Sequence, residues 1–265
     1  MLEKSPSVIS IHNLEKSYQN GRQSNKVLKG INIDIQPGQI IGYIGPNGAG
    51  KSTTVKILCG LLPDFDGDIS ILGYDLKTQP IEIKKRIGYI PENVALYDTL
   101  TPREYLQFVG ELHGMVHDNI NQKIGKLLNL FEMKAHADER LNSFSKGMRQ
   151  KILIISGLIH NPDIIFMDEP LSGLDANSVI IVKEILTQLA REGKTIFYSS
   201  HIMDVVEKIS DRIILIDNGN IVADGSFAEL NSKDHTGSLE KLFTELTGTS
   251  DHSKKAEEII HVFEN

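Results

Sequence analysis

No disulfide can form within this chain. Its 265 residues contain one cysteine, Cys59, which follows Ile57 and Leu58 and reads as a small buried side chain. A lone thiol fits a reducing cytosol. Long apolar runs are also missing. The longest, Ile152–Ile159, falls well short of the about 20 residues that a membrane-spanning helix needs. The opening Met1–Pro6 lacks the apolar core of a secretory signal. If the protein works at a membrane, the expectation is that another chain supplies the membrane part. A basic excess is missing too. The 28 basic residues stand against 35 acidic ones, a formal net charge of −7, so nucleic acid is not expected as a partner. No internal repeat or low-complexity tract interrupts the chain.

What is present is an ordinary globular balance. Hydrophobic residues make up 40% and charged residues 24%, which excludes a wholly disordered chain. The length suits one large domain, or one domain with a lobe. Val8–Ile11 alternates as a strand does, and Val27–Ile35 follows with Val27, Leu28, Ile31, Ile33 and Ile35. Together they predict an antiparallel layer near the N-terminus. Ile40–Ile44 is a short apolar run, the pattern of a buried parallel strand. A glycine-rich loop and a helix over about 51–59 come next, then a strand over 86–90.

From about 93 to 159 the pattern turns helical. Pro102 suits the first turn of a helix that carries Tyr105, Leu106, Phe108, Val109 and Leu112. Ile124, Leu127, Leu128 and Phe131 predict a second helix. Strand patterns resume at 164–167, 195–199 and 213–216, with helices expected at about 176–191 and 203–208. Such alternation implies a mainly parallel sheet covered on both faces. Beyond Phe227 the chain is polar. There Leu239, Leu242, Phe243 and Leu246 recur at helical spacing, Gly248–Lys255 reads as a linker and Ala256–Phe263 as a last short helix.

Two stretches carry chemistry. Gly45-Pro46-Asn47-Gly48-Ala49-Gly50-Lys51-Ser52 fits G-x-x-x-x-G-K-[ST] between a strand and a helix, with Thr53 next in line. Its glycines let backbone N–H groups surround an anion, and the helix adds its positive end. Lys51 brings charge to the β- and γ-phosphates, and the Ser52 hydroxyl suits Mg2+, which takes oxygen ligands. The second stretch is Ile164–Met167 followed by Asp168-Glu169-Pro170. A strand that ends in two carboxylates puts them at the carboxyl edge, where parallel sheets bind ligands. Asp168 can hold the metal, and Glu169 can polarise a water. Alone, that pair is a weak signal and more often a solvated strand end; beside the glycine loop it points to nucleotide hydrolysis.

These sites and the residues between them resemble the ATP-binding-cassette ATPases over about 8–225, most closely those of bacterial ABC-2-type exporters. The most specific element is Phe144-Ser145-Lys146-Gly147-Met148-Arg149-Gln150, at the place of the family signature, usually Leu-Ser-Gly-Gly-Gln. Ser145 and Gly147 match; Phe144, Lys146 and Met148 depart from the usual form but resemble exporter variants. The resemblance implies that Ser145 and Gly147 meet the γ-phosphate held by a second copy of the chain. Ser145 also reads as a helix cap, and both readings can hold at once. His201 resembles the switch histidine that contacts the γ-phosphate. Ser172-Gly173-Leu174-Asp175 resembles the D-loop, through which the two copies communicate. Tyr18 resembles the aromatic that stacks on adenine, with a surface tyrosine as its rival reading. Glu92 stands where the family has its Q-loop glutamine. A carboxylate only accepts hydrogen bonds, so it can face Mg2+ or its water but cannot donate as the amide does.

The resemblance implies an α/β fold: a P-loop NTPase core with a mainly parallel sheet, an N-terminal antiparallel β layer and an inserted helical lobe. It divides the chain into an ATPase domain over 1–226, with the lobe at about 93–159, and a C-terminal helical extension over 227–265. The function expected is an ATP-hydrolysing subunit that closes as a homodimer on ATP and drives export through separate integral membrane permease chains, at the cytoplasmic face of the cell membrane. A soluble cassette acting on ribosomes or DNA would usually join two cassettes or insert a long coiled coil, and neither is present. A module that uses ATP as a switch without turnover is disfavoured by Glu169.

Overall fold

In the computed structural model, the described residues are 6–21, 23–93, 95–231 and 237–248. Met1–Ser5, most of the expected Gly248–Lys255 linker and the expected Ala256–Phe263 helix lie outside them. The chain opens with β1 (Ile9–Asn20) and β2 (Gln23–Ile35), paired antiparallel from Ile9 opposite Ile35 to Asn20 opposite Gln23. β3 (Ile40–Ile44) follows and is buried along its whole length, as its unbroken apolar run implies. The glycine loop leads from β3 into α1 (Lys51–Leu58).

β4 (Asp66–Ile71) returns to the free edge of β1, and β5 (Tyr74–Asp75) pairs with β4. These two strands and the short α2 (Pro80–Lys84) have no counterpart in the sequence reading. Asp66 and Asp68 disguise β4, because aspartate is depleted in strands and only alternate residues of β4 are buried. The first sheet therefore runs β2-β1-β4-β5.

β6 (Ile87–Ile90) precedes the helical segment. That segment contains α3 (Pro102–Leu112), α4 (His117–Leu130) and α5 (Lys146–Leu158), with 3-10 turns at Lys134–His136 and Leu141–Ser143. Thr101 caps α3 reciprocally: its hydroxyl accepts from Glu104 N–H, and the Glu104 carboxylate accepts from Thr101 N–H. Tyr105 and Leu106 turn inward. Phe108 and Leu112, read from the sequence as part of the same apolar face, remain 40% and 70% exposed.

The remaining chain alternates: β7 (Ile164–Asp168), α6 (Ala176–Arg191), β8 (Thr195–Ser199), α7 (Met203–Ile209), β9 (Arg212–Asp217), β10 (Asn220–Gly225), α8 (Phe227–Asn231) and α9 (Leu239–Thr247). The second sheet runs β10-β9-β3-β8-β7-β6 and is parallel apart from the edge strand β10. Its strands are apolar on both faces for a visible reason. Ile41, Tyr43, Phe166, Phe197 and Ile214 join the core shared with the first sheet. Ile40, Ile44, Ile165, Met167, Tyr198 and Leu215 join a second core under the helices. Each fully buried side chain of this size contributes about 1.5–3 kcal/mol of burial. Leu239 and Leu242 of α9 are buried in that second core, and Glu207 on α7 accepts a hydrogen bond from Leu239 N–H.

Candidate active site

The sheet sets the site by register. Tyr43 of β3 and Asp168 of β7 both pair with Ser199 of β8, so one row crosses the sheet just below its carboxyl edge. The glycine loop leaves β3 one residue beyond that row. A pocket of about 690 Å³ lies there, lined by Asn25, Val27, Asn47, Gly48, Gly50, Lys51, Ser52, Thr53, Glu92, Asp168, Glu169 and His201.

The loop is built for an anion. Gly50 holds the N-cap of α1 at φ 113°, a region open to glycine, and no side chain caps the first turn. The first N–H groups of α1 therefore have no side-chain acceptor, and Lys51, Ser52 and Thr53 stand at that helix end. The Lys51 ammonium donates to the carbonyls of Gly45 (2.7 Å) and Pro46 (3.2 Å). Burial pushes its pKa down, and Glu169, Asp168 and Glu92 oppose that shift. The lysine thus sits as a partly desolvated cation among three carboxylates.

Asp168 is buried, and one of its oxygens accepts from the Ser199 hydroxyl at 2.5 Å. Glu169 lies just past the strand with φ 49°, a left-handed backbone that a glutamate adopts only under constraint. Its N–H donates to the Ser199 carbonyl, which holds the turn. Its carboxylate lies 2.7 Å from His201 Nδ1. An ionised carboxylate only accepts, so the proton in that contact is on the ring nitrogen. Burial raises the Glu169 pKa, and His201 and Lys51 counter the rise. Behind the strand, the buried Gln150 of α5 donates to the Pro170 carbonyl at 2.9 Å, tying that helix to the turn that carries Glu169.

Ten residues expected at the site line the pocket or its loop: Asn47, Gly48, Gly50, Lys51, Ser52, Thr53, Glu92, Asp168, Glu169 and His201. Gly45, Pro46 and Ala49 shape the loop, with Ala49 buried. Ser145, Gly147 and Asp175 do not line this pocket. Ser145 caps α5 by accepting from Met148 N–H, Gly147 lies in the first turn of α5, and Asp175 caps α6 by accepting from Ser178. Lys146 reaches the Ser172 hydroxyl at 3.1 Å, so this segment and the loop over 172–175 pack as one surface. Tyr18 does not line the pocket either, but its cross-strand partner Asn25 does. Asn25 and Val27 went unread because the hairpin that carries them meets the loop only in the folded state.

An anion cradle between strand and helix, facing two carboxylates at the end of a nearby parallel strand, defines a P-loop nucleotide hydrolase. The family model for the ABC transporter matches residues 28–172. The ABC transporter ATP-binding protein NatA of Bacillus subtilis (strain 168) is 37% identical over 237 residues, 89% of this chain and 96% of the relative. A structure of an ATP-binding subunit of an ABC transporter superposes with TM-score 0.84 at 30% identity, covering 91% of this chain and 99% of the other. A dimeric bacterial ABC transporter cassette matches with TM-score 0.78 at 25% identity, covering 82% and 98%. The chain belongs to the ABC transporter family, as an ATP-binding subunit that hydrolyses ATP.

The loop tolerates no bulk at its first residue. A Cβ at Gly45 would run into the carbonyl oxygen of Ile216 on β9. Gly45→Ala is expected to lower stability by about 1–3 kcal/mol through overpacking. It should also weaken binding of a fluorescent ATP analogue, because the cradle shifts with β3. Denaturant melts and nucleotide titration measure the two effects; an unchanged value in both contradicts this packing.

Proposed function

We propose that this ATPase drives export through separate integral membrane permease subunits, bound to them at the cytoplasmic face of the cell membrane, with two copies of the chain closing on ATP. The observation that carries the reading is the placement of Ser145, Gly147 and Asp175 outside the pocket that holds Lys51, on a surface of their own. That split suits a site completed by a second copy. Export follows from the likeness of Ser-Lys-Gly-Met-Arg-Gln, and of residues 96–101, to exporter cassettes. Among the described residues no helix is long and apolar enough to cross a membrane; in this reading the permease is a different chain. We assign residues 1–226 to the ATPase domain, 93–159 to its lobe and 227–265 to the C-terminal extension.

In this reading the loop N–H groups and Lys51 hold the β- and γ-phosphates, and the open face of Tyr18 takes the adenine. Glu169 accepts a proton from the attacking water. His201 orients that carboxylate through its Nδ1 and stands beside the γ-phosphate. Ser52, Asp168 and Glu92 fit Mg2+: they are oxygen donors, and a triphosphate beside three carboxylates needs a countercharge. A bound Mg2+ would supply that neutralisation. The work left to the protein is placement and charge stabilisation.

Glu169→Gln should lower turnover by about 100-fold or more while ATP binding persists. In the native protein the acid limb of the rate profile should lie above the ordinary glutamate range. The sign follows from burial: below the raised pKa, Glu169 carries a proton and can no longer accept one from water. Phosphate release at varied pH measures both, and unaltered turnover in the glutamine variant removes Glu169 from this role.

The partner is tested directly. Tyr97, Phe108, Leu112 and Val116 are large exposed apolar side chains around α3, and the rings of Tyr97 and Phe108 meet edge-on at 5.8 Å. Such a cluster suits a protein contact. Tagged full-length chain purified from native membranes should bring down a multi-span hydrophobic protein in stoichiometric amount, and Phe108→Glu with Leu112→Glu should lose it. Recovery only with ribosomes or nucleoprotein contradicts the transporter reading.

A further inference from the structure

Lys16 on β1 is 6% exposed, an unusual burial for a lysine. Its ammonium is held at one end by Asp64, in the loop between α1 and β4. It donates to the Asp64 carbonyl and, at 3.0 Å, to the Asp64 carboxylate. That carboxylate is itself 97% exposed, so solvent screens the ion pair, and the pair alone is a weak reason to bury a lysine. The second contact is more informative. The same ammonium lies over the Tyr18 ring, 5.2 Å from its centroid. That is within cation–π range. Tyr18 is 40% exposed, so with the ammonium over one face, the open surface belongs to the rest of the ring. Its cross-strand partner, Asn25, lines the nucleotide pocket.

We propose that Lys16 is a positioning residue for nucleotide-base selection: its ammonium, anchored by Asp64, fixes the Tyr18 ring and draws electron density through it, so that the open face takes a purine. The inference rests on the reading of Tyr18 as the adenine platform. Two effects follow from the geometry. A ring clamped on one face loses less freedom when a base stacks on the other. A ring with a cation beneath it also has a less negative outer face, which favours stacking by the electron-rich adenine. The contact adds nothing at the phosphates, where Lys51 and the loop act, so it governs binding of the base and leaves the chemical step alone.

The test uses the full chain and compares ATP with CTP, whose smaller ring stacks less. Lys16→Met keeps the buried stem and removes the charge. It should raise KM for ATP by about fivefold with kcat unchanged, a size consistent with a partly desolvated cation–π contact. It should raise KM for CTP much less, so the preference for ATP narrows. Lys16→Arg should restore the preference, because a guanidinium also sits on an aromatic face. A purely structural lysine would instead lower the melting temperature and shift both nucleotides together, and that result overturns the proposal. Tyr18→Ala separates the two levels. If it narrows the preference and Lys16→Met does not, the Lys16 proposal fails alone. If Tyr18→Ala leaves the preference intact, the Tyr18 reading fails and takes this proposal with it.

Discussion

Like charges must be held together at this site. A triphosphate is strongly anionic, yet Glu92, Asp168 and Glu169 border the same pocket. In water such groups would stay apart. The fold brings them together by fixing their supports first. β3 and β7 flank β8 in register, so the glycine loop and the Asp168-Glu169 turn must meet at one edge. The charges are then balanced locally. The N-terminal end of α1 borders the pocket, Lys51 is drawn in at some cost in hydration, the Ser199 hydroxyl satisfies Asp168, and His201 satisfies Glu169. Strain is accepted at Glu169, whose backbone is left-handed and whose carboxylate lines the pocket beside His201.

The same economy explains the helical segment. α5 enters the second core with Ile152, Leu153, Ile154 and Ile155, so it is rigidly seated. Its Gln150 grips the turn beyond Asp168, while its first turn and the loop over 172–175 form a separate surface joined by Lys146 and Ser172. One helix thereby links the turn that carries Glu169 to the residues that resemble the family signature. In the proposed transporter, a short packed element of this kind is what coupling hydrolysis to the motion of a partner requires.

Most of this was legible because the deciding signals are local. The glycine loop, the apolar run over 164–167 and the serine before α5 carry their geometry in adjacent residues. The missed elements are those whose reason is tertiary. β4 begins with Asp66-Gly67-Asp68, a turn-like run, and becomes a strand only because β1 has a free edge to pair. α2 is five residues long and has no side-chain cap, too short to show a periodic pattern. Phe108 and Leu112 fit a helical stripe by spacing, but the core beneath α3 is filled by Tyr105 and Leu106, and the stripe is wider than the surface it covers. Asn25 and Val27 reach the pocket from a hairpin that precedes the loop by about twenty residues, a distance no motif spans.

The central claim is that each catalytic pocket is half a site, completed by the Ser145 surface of another copy. Mixing two inactive variants tests it most directly: Lys51→Ala, which spoils the phosphate cradle, and Ser145→Arg, which spoils the facing surface. In a mixed dimer one pocket keeps both an intact Lys51 and an intact Ser145. The account predicts that ATP hydrolysis returns on mixing, although each variant alone is silent. A mixture as inactive as its parts, or full activity from Ser145→Arg alone, would contradict it.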